Sequence, residues 1–279
     1  MTHRFPLLAT LVVVHALLAP VAAVAAEPAA EAPPAQPAAP TPPAPEEDVE
    51  ARLAALWKEA DALYAARHQA GNLDRSDDAL ATAEKLAAGR YETLWRKSRS
   101  LFWRGEIASE DDDRERFAKQ GWDVAEEALQ AKPGGAEGHY YAAINAGTYG
   151  QAIGILKALT QGVEGPFVDH LRVAMKKAPN LDDGGPATAM GRYHYELPWP
   201  KYDGEESERI LRQVVEKHPR NLRAKLYLAE TLLKEGNPQE SLALLEAIEA
   251  TKGSGDPAET QLVRKRAKRL VPKVKDELE

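Results

Sequence analysis

Three times along this chain of 279 residues a proline closes a helical run, and the residues twelve, eight and five positions before it are each time apolar or small. Counting back from Pro133 gives Gly121, Ala125 and Ala128; from Pro179, Phe167, Leu171 and Ala174; from Pro219, Ser207, Leu211 and Val214. Steps of four and three place each trio on one face of a helix. Proline ends the run because it has no amide donor and its ring collides with the preceding turn. A chain with several such one-faced helices must bury those faces against neighbours of the same kind, which points to stacked helix pairs.

The offsets match the second helix of a tetratricopeptide unit, where a small residue admits a neighbouring helix and a larger one fills the gap. First-helix spacing is partly present in Lys225, Leu228, Ala229 and Leu232, in His139, Ala142, Ala143 and Ala146, and at Met190-Gly191. Periodicity predicts helices over Val49–Gln69, Ser76–Ala88, Tyr91–Ala108, Asp113–Ala131, Ala136–Gly147, Gln151–Leu159, Phe167–Lys177, Pro186–Leu197, Glu205–Lys217, Leu222–Lys234, Pro238–Ala250 and Pro257–Glu277. Gly, Asn and Pro signals separate them, and no stretch alternates with a period of two. The expected fold is all-α, a tetratricopeptide-like α-solenoid of about five helix pairs with a C-terminal capping helix. Successive terminal prolines lie 46 and 40 residues apart, against about 34 in a standard repeat. Extra residues therefore fall at Gly147–Gly165 and Leu197–Gly204, where insertions in solenoids often carry function.

Ahead of the repeats, Arg4, the apolar run Leu7–Leu18 and Ala23-Val24-Ala25 have the order of an export leader, so residues 1–26 are expected to be a cleaved signal and the protein periplasmic or otherwise exported. Residues 27–48 are rich in Ala and Pro, with no large apolar side chain to order them, and read as a disordered linker. The repeat domain is expected over residues 49–279. The last predicted helix collects Arg264, Lys265, Arg266, Lys268, Arg269, Lys273 and Lys275 beside the apolar series Val263, Ala267, Leu270 or Val271, Val274 and Leu278, which suits a cap with a solvated basic face.

Composition excludes several chemistries. There is no cysteine, so disulfides, thiolate catalysis and a Cys-linked lipid are ruled out. A formal charge of −7 argues against nucleic acid as a partner. The seven histidines include no helical zinc pair. Asp111-Asp112-Asp113 lacks the glycine and closing glutamate of a calcium loop and is read as an acidic helix start. Gly147–Gly154 lacks the Lys-Ser/Thr pair of a phosphate loop. No nucleophile and base can be paired by spacing, so neither an enzyme nor a cofactor is expected.

The segments His139-Tyr140-Tyr141, Asn145-Ala146-Gly147, Asp183-Gly184-Gly185-Pro186, Gly191 and Leu197-Pro198 resemble the T-component family associated with TRAP-type transporters. The resemblance covers roughly residues 138–233. It implies a non-enzymatic accessory component of a solute uptake system, with a periplasmic solute-binding protein or other envelope protein as partner, and self-association around a pore. A generic envelope scaffold is the alternative.

In that register the concave face presents Tyr140 and Ile144 from one unit, Arg192, Tyr195 and Glu196 from the next, and Arg223, Leu226 and Glu230 from the one after, with Tyr141 a further binding candidate on the face it shares with Asn145. Two arginines beside apolar rings would suit a small organic acid, because a guanidinium pairs with a carboxylate through two hydrogen bonds. Equally, Arg192 and Arg223 could pair with Glu196 and Glu230. Asn145, four residues after Tyr141, has either a ligand or the backbone near Gly147 and Gly150 to bond.

Overall fold

The computed structural model describes residues 46–251 and 255–279. The expected leader and most of the expected linker lie outside the described residues. The described chain is twelve α-helices: α1 (Glu46–Ala65), α2 (Asn72–Leu86), α3 (Tyr91–Ile107), α4 (Asp111–Ala131), α5 (Ala136–Ile153), α6 (Ile155–Thr160), α7 (Glu164–Lys177), α8 (Gly185–Glu196), α9 (Gly204–Lys217), α10 (Leu222–Lys234), α11 (Pro238–Ala250) and α12 (Pro257–Asp276). The first of these begins at Glu46, three residues before the boundary expected between linker and repeats. Pairs form as α1 with α2, α3 with α4, α5 with α7, α8 with α9 and α10 with α11, and α12 lies on the last pair.

All nine residues of the proline-anchored trios are buried, from Gly121 on α4 to Val214 on α9. Each fully buried leucine of this set, such as Leu171 and Leu211, stabilises the fold by about 2 kcal/mol. The small partner residues are needed where helices touch. At Gly191 on α8 a Cβ would lie 2.6 Å from the Leu211 side chain on α9.

One expected break is absent. Gly147 and Gly150 do not end a helix; α5 runs through both and stops at Gly154, whose φ of 92° suits glycine. Those two glycines instead permit close packing, since a Cβ at Gly147 would sit 3.0 Å from the Phe167 ring and one at Gly150 3.2 Å from the Ala158 Cβ. The short α6 is folded under them.

The larger departure concerns α12. Its apolar stripe of Val263, Ala267 and Val274 covers the last pair, as a cap should, whereas Leu278, expected in the same stripe, lies past the helix end and is exposed. Its opposite edge, however, meets the beginning of the chain. Ala258 joins a buried cluster with Leu73 of α2 and Trp103 of α3, Arg67 after α1 bonds Asp256 at 2.6 Å, and Arg266 reaches Glu106 of α3 at 3.1 Å. The solenoid therefore curls until its last helix clasps its first pairs through side chains, and part of the expected solvated basic face is used in the clasp.

Candidate functional site

Closure leaves a cavity of about 490 Å³ bounded by α1, α3, α5, α6, α7, α8, α10 and α12. Its wall alternates aromatic and aliphatic side chains, among them Tyr64, Phe102, Tyr140, Ile144, Phe167 and Tyr227, with a set of charged groups. First helices of the pairs supply most of it, in agreement with the expected concave face. The α6 insertion adds Ile155, Ala158 and Leu159, so the enlarged third unit does line the site.

The expected site residues divide. Tyr140, Ile144, Arg192, Glu196 and Arg223 face the cavity. Tyr141 does not: it is buried, stacks on Trp95 with centroids 6.1 Å apart, and its hydroxyl donates to Asp182 Oδ2 at 3.0 Å. Asn145 is a structural group at the junction of α3, α4 and α5, with no exposed surface. Its Nδ2 donates to Tyr141 O at 2.9 Å, Ser98 Oγ at 3.1 Å and Ser98 O at 3.2 Å. Leu226 is core, and Tyr195 and Glu230 stand beside Arg192 outside the lining set.

The two arginines are not available to a guest's carboxylate. Arg192 bonds Glu196 at 2.6 Å and also Glu230, and lies between the Tyr195 and Tyr227 rings at 4.5 and 4.6 Å. Burial alone would depress its pKa, yet Glu230 and Glu196 carry it upward. Arg223 takes Glu259 through two nitrogens, one at 2.8 Å, and bonds Glu106; Glu230 is not its partner. Each guanidinium is already held by two protein carboxylates, so the physical ground for an organic-acid ligand at this pair is removed.

Glu106 is the hub between the ends. It is buried and receives Arg223 of α10 and Arg266 of α12, with Arg114 at 3.8 Å. Burial alone would raise its pKa, but these three guanidiniums bring it down to about 2.

The loop between α7 and α8 contributes the remaining carboxylates. Asp182, Asp183 and Gly184 follow one another with φ of 47°, 57° and 85°. Two successive non-glycine residues in the left-handed region cost about 1 kcal/mol or more each, and Asp is among the few residues that tolerate it. The corner of α9 and α10 holds this turn: His218 Nδ1 contacts Asp183 Oδ1 at 3.0 Å, and Asn221 Nδ2 donates to the Asp183 carbonyl at 2.9 Å. Glycine is required at position 184, where a Cβ would lie 2.7 Å from the His218 ring.

Sequence reasoning missed Glu106, Asp182, Glu259, Tyr64 and Phe102. Only Asp182 had a local signal, the run of turn-forming residues before α8.

The paired helices, the buried trios and the closed concave face define a tetratricopeptide-type repeat protein. A tetratricopeptide repeat model matches residues 202–260, and a family model described as regulator of microtubule dynamics protein 1-3 matches residues 56–199, just over half of the chain. The chain belongs to the regulator of microtubule dynamics protein 1-3 family. Regulator of microtubule dynamics protein 3 of Xenopus laevis is 30% identical over 152 residues, which is 54% of this chain and 31% of that protein. The chain thus spans about a third of the length of this curated relative. Among solved structures, a thermophilic tetratricopeptide protein of Thermus thermophilus superposes with a TM-score of 0.58 at 17% identity, over 79% of this chain and 99% of that one.

These relatives lend no support to a TRAP T-component. The motifs that carry that resemblance as far as Leu197-Pro198 fall inside the segment matched by the regulator family. Physically they are packing devices: Gly185 makes room for the Tyr140 hydroxyl, which would lie 2.3 Å from a Cβ there, and Gly191 admits Leu211.

Proposed function

We propose that the protein is a non-enzymatic interaction module that holds an extended segment of a partner protein in its open-mouthed concave chamber. The observation that carries this reading is the cavity itself, walled by aromatic and aliphatic side chains from both ends of the chain. Repeat solenoids bind partners along their concave surface, and an extended segment fits a chamber lined by successive first helices. The name of the Xenopus relative concerns microtubule dynamics; what the shared helices support here is partner binding. Location outside the cytoplasm remains part of the proposal, on the strength of Arg4, Leu7–Leu18 and Ala23-Val24-Ala25. A narrower role in TRAP-type uptake has no support from the chamber, whose arginines are occupied.

Photo-cross-linking tests the reading. With p-benzoylphenylalanine in place of Phe102, which faces the chamber, partner adducts should form in the expressing cell, and adding Ala189→Trp, which puts an indole into the cavity, should abolish them. Adducts that persist in the Ala189→Trp background, or that form equally from the exposed position Glu246, would place the partner elsewhere.

A further inference from the structure

The chamber wall carries seven carboxylates: Glu106, Glu164, Asp182, Asp183, Glu196, Asp256 and Glu259. Five of them have an Arg or Lys in ion-pair contact, and a sixth, Asp183, contacts an imidazole. Glu106 and Glu259 have Arg223, Glu164 has Lys201, Asp183 has His218, Glu196 has Arg192, and Asp256 has Arg67. Among the described residues, Asp182 has none. Its one polar side-chain partner there is the Tyr141 hydroxyl on Oδ2. Five chamber acids are neutralised by Arg or Lys, Asp183 has an imidazole contact, and Asp182, held on a left-handed turn, has a hydroxyl and no direct ion pair.

The surroundings agree. Water reaches Asp182 within the cavity, yet protein surrounds it, and this enclosure raises its pKa despite the opposing effects of Tyr141 and Arg99. The nearest guanidiniums are committed elsewhere, Arg99 to Asp61 at 2.7 Å and Arg67 to Asp256. Glu259 adds negative potential from α12, and Tyr140 stands beside Asp182, the two meeting at Gly185, whereas the Tyr64 ring is already covered by Arg67 and Arg99 at 4.2 and 4.0 Å. A cavity-lining carboxylate without a direct ion pair favours an organic cation by charge pairing.

The geometry points to Asp182 as the anchor for a primary ammonium group on the chamber's guest, with Tyr140 beside it. An ammonium is preferred to a guanidinium because Tyr141 already engages Oδ2, which spoils the two-oxygen face that a guanidinium fork needs while leaving Oδ1 for a single N–H donor. This inference rests on the chamber being the binding site, and on that reading the ammonium belongs to a lysine of the bound segment. A free amine offers the same chemistry and is separated by the test.

Calorimetry on the full chain would use four probes: hexylammonium, hexanoate, a short acetylated and amidated peptide with one lysine between leucines, and the same peptide with norleucine for lysine. Asp182→Asn keeps an acceptor for Tyr141 and a residue that tolerates the left-handed turn, so it removes charge and little else. Its melting temperature should equal or exceed the parent's, since an enclosed carboxylate with a raised pKa opposes folding once ionised and that penalty is gone. Binding of the lysine peptide should exceed that of its norleucine twin and fall about tenfold or more in Asp182→Asn. Hexylammonium binding that falls likewise, with no difference between the peptides, would support the anchor and assign it to a free amine. The anchor is overturned if hexanoate binds as well as hexylammonium, or if Asp182→Asn leaves amine and lysine-peptide binding unchanged. Loss of Phe102 adducts in Ala189→Trp together with unchanged binding in Asp182→Asn would leave the chamber standing and remove only the ammonium site.

Discussion

Glu106→Ala is expected to destabilise the protein by about 3–5 kcal/mol, the range for removing one partner of a buried ion pair, and to part the two ends of the solenoid. The carboxylate joins α3 to residues 117 and 160 positions further on. Without it Arg266 and Arg114 would lose their shared carboxylate and Arg223 would keep Glu259 alone, leaving three guanidiniums facing one another across a small space. Glu106→Gln keeps the shape and removes the charge, so it should lose most of the same stability. Acid acts on the same contact. Because the folded pKa of Glu106 is held at about 2, below its ordinary 4.5, its contribution is present above pH 4.5 and is lost as pH falls from there towards 2. The shift corresponds to roughly 3 kcal/mol. Urea unfolding of the parent and Glu106→Gln should therefore differ widely at pH 7 and converge near pH 2. A constant difference across that window would mean that charge at Glu106 is not what joins the ends.

Gly121→Val is expected to be as damaging for a different reason. Gly121 lies where α4 crosses α3 and α5, and a Cβ there would sit 2.2 Å from Asn145 Oδ1 and 2.8 Å from its Nδ2. The Asn145 amide cannot withdraw without giving up its bonds to Ser98 and Tyr141, and Ser98 Oγ itself donates to the Gly121 carbonyl at 2.8 Å. Overpacking and broken buried hydrogen bonds together should cost about 3–5 kcal/mol, or about 10 °C in melting temperature for a domain of this size. Pairing Gly121→Ala with Asn145→Ala should be milder than the sum of the two single changes, because the second makes the space the first needs. Strict additivity in that cycle would show that the two residues are not in contact.

Much of the helical frame was legible because it is local. The bounds of α10 and α11 follow from their Asn-Leu and Asn-Pro starts and from the periodic leucines between, and the trios before Pro133, Pro179 and Pro219 marked the buried faces of α4, α7 and α9. Glycine misled where it serves packing. Gly147 and Gly150 look like a break in the sequence, but the neighbouring Phe167 and Ala158 that require them are set by the fold. Wall positions such as Tyr140, Arg192 and Arg223 could be placed by register, whereas their partners could not. Nothing near Arg223 in sequence announces Glu106, and the expected Glu230 belongs to Arg192. Closure was illegible for the same reason, since Arg67 and Asp256 meet across 189 positions and no periodicity reports such a pair. Asp182 stood in a recognisable turn, but its importance comes from what the other chamber acids bond, which only the assembled wall displays.

The clasp between the first and last helices is the feature on which chamber, partner and ammonium anchor all depend, and zero-length coupling tests it directly. In Arg67→Lys the introduced amine should lie against the Asp256 carboxylate, which contacts Arg67 at 2.6 Å. Carbodiimide treatment followed by peptide mass spectrometry should recover the peptide containing position 67 joined to the one containing Asp256 within a single chain. Recovery of position 67 coupled only to nearby acids, or of the joined peptides only between two chains, would mean that the solenoid is open and would contradict the account.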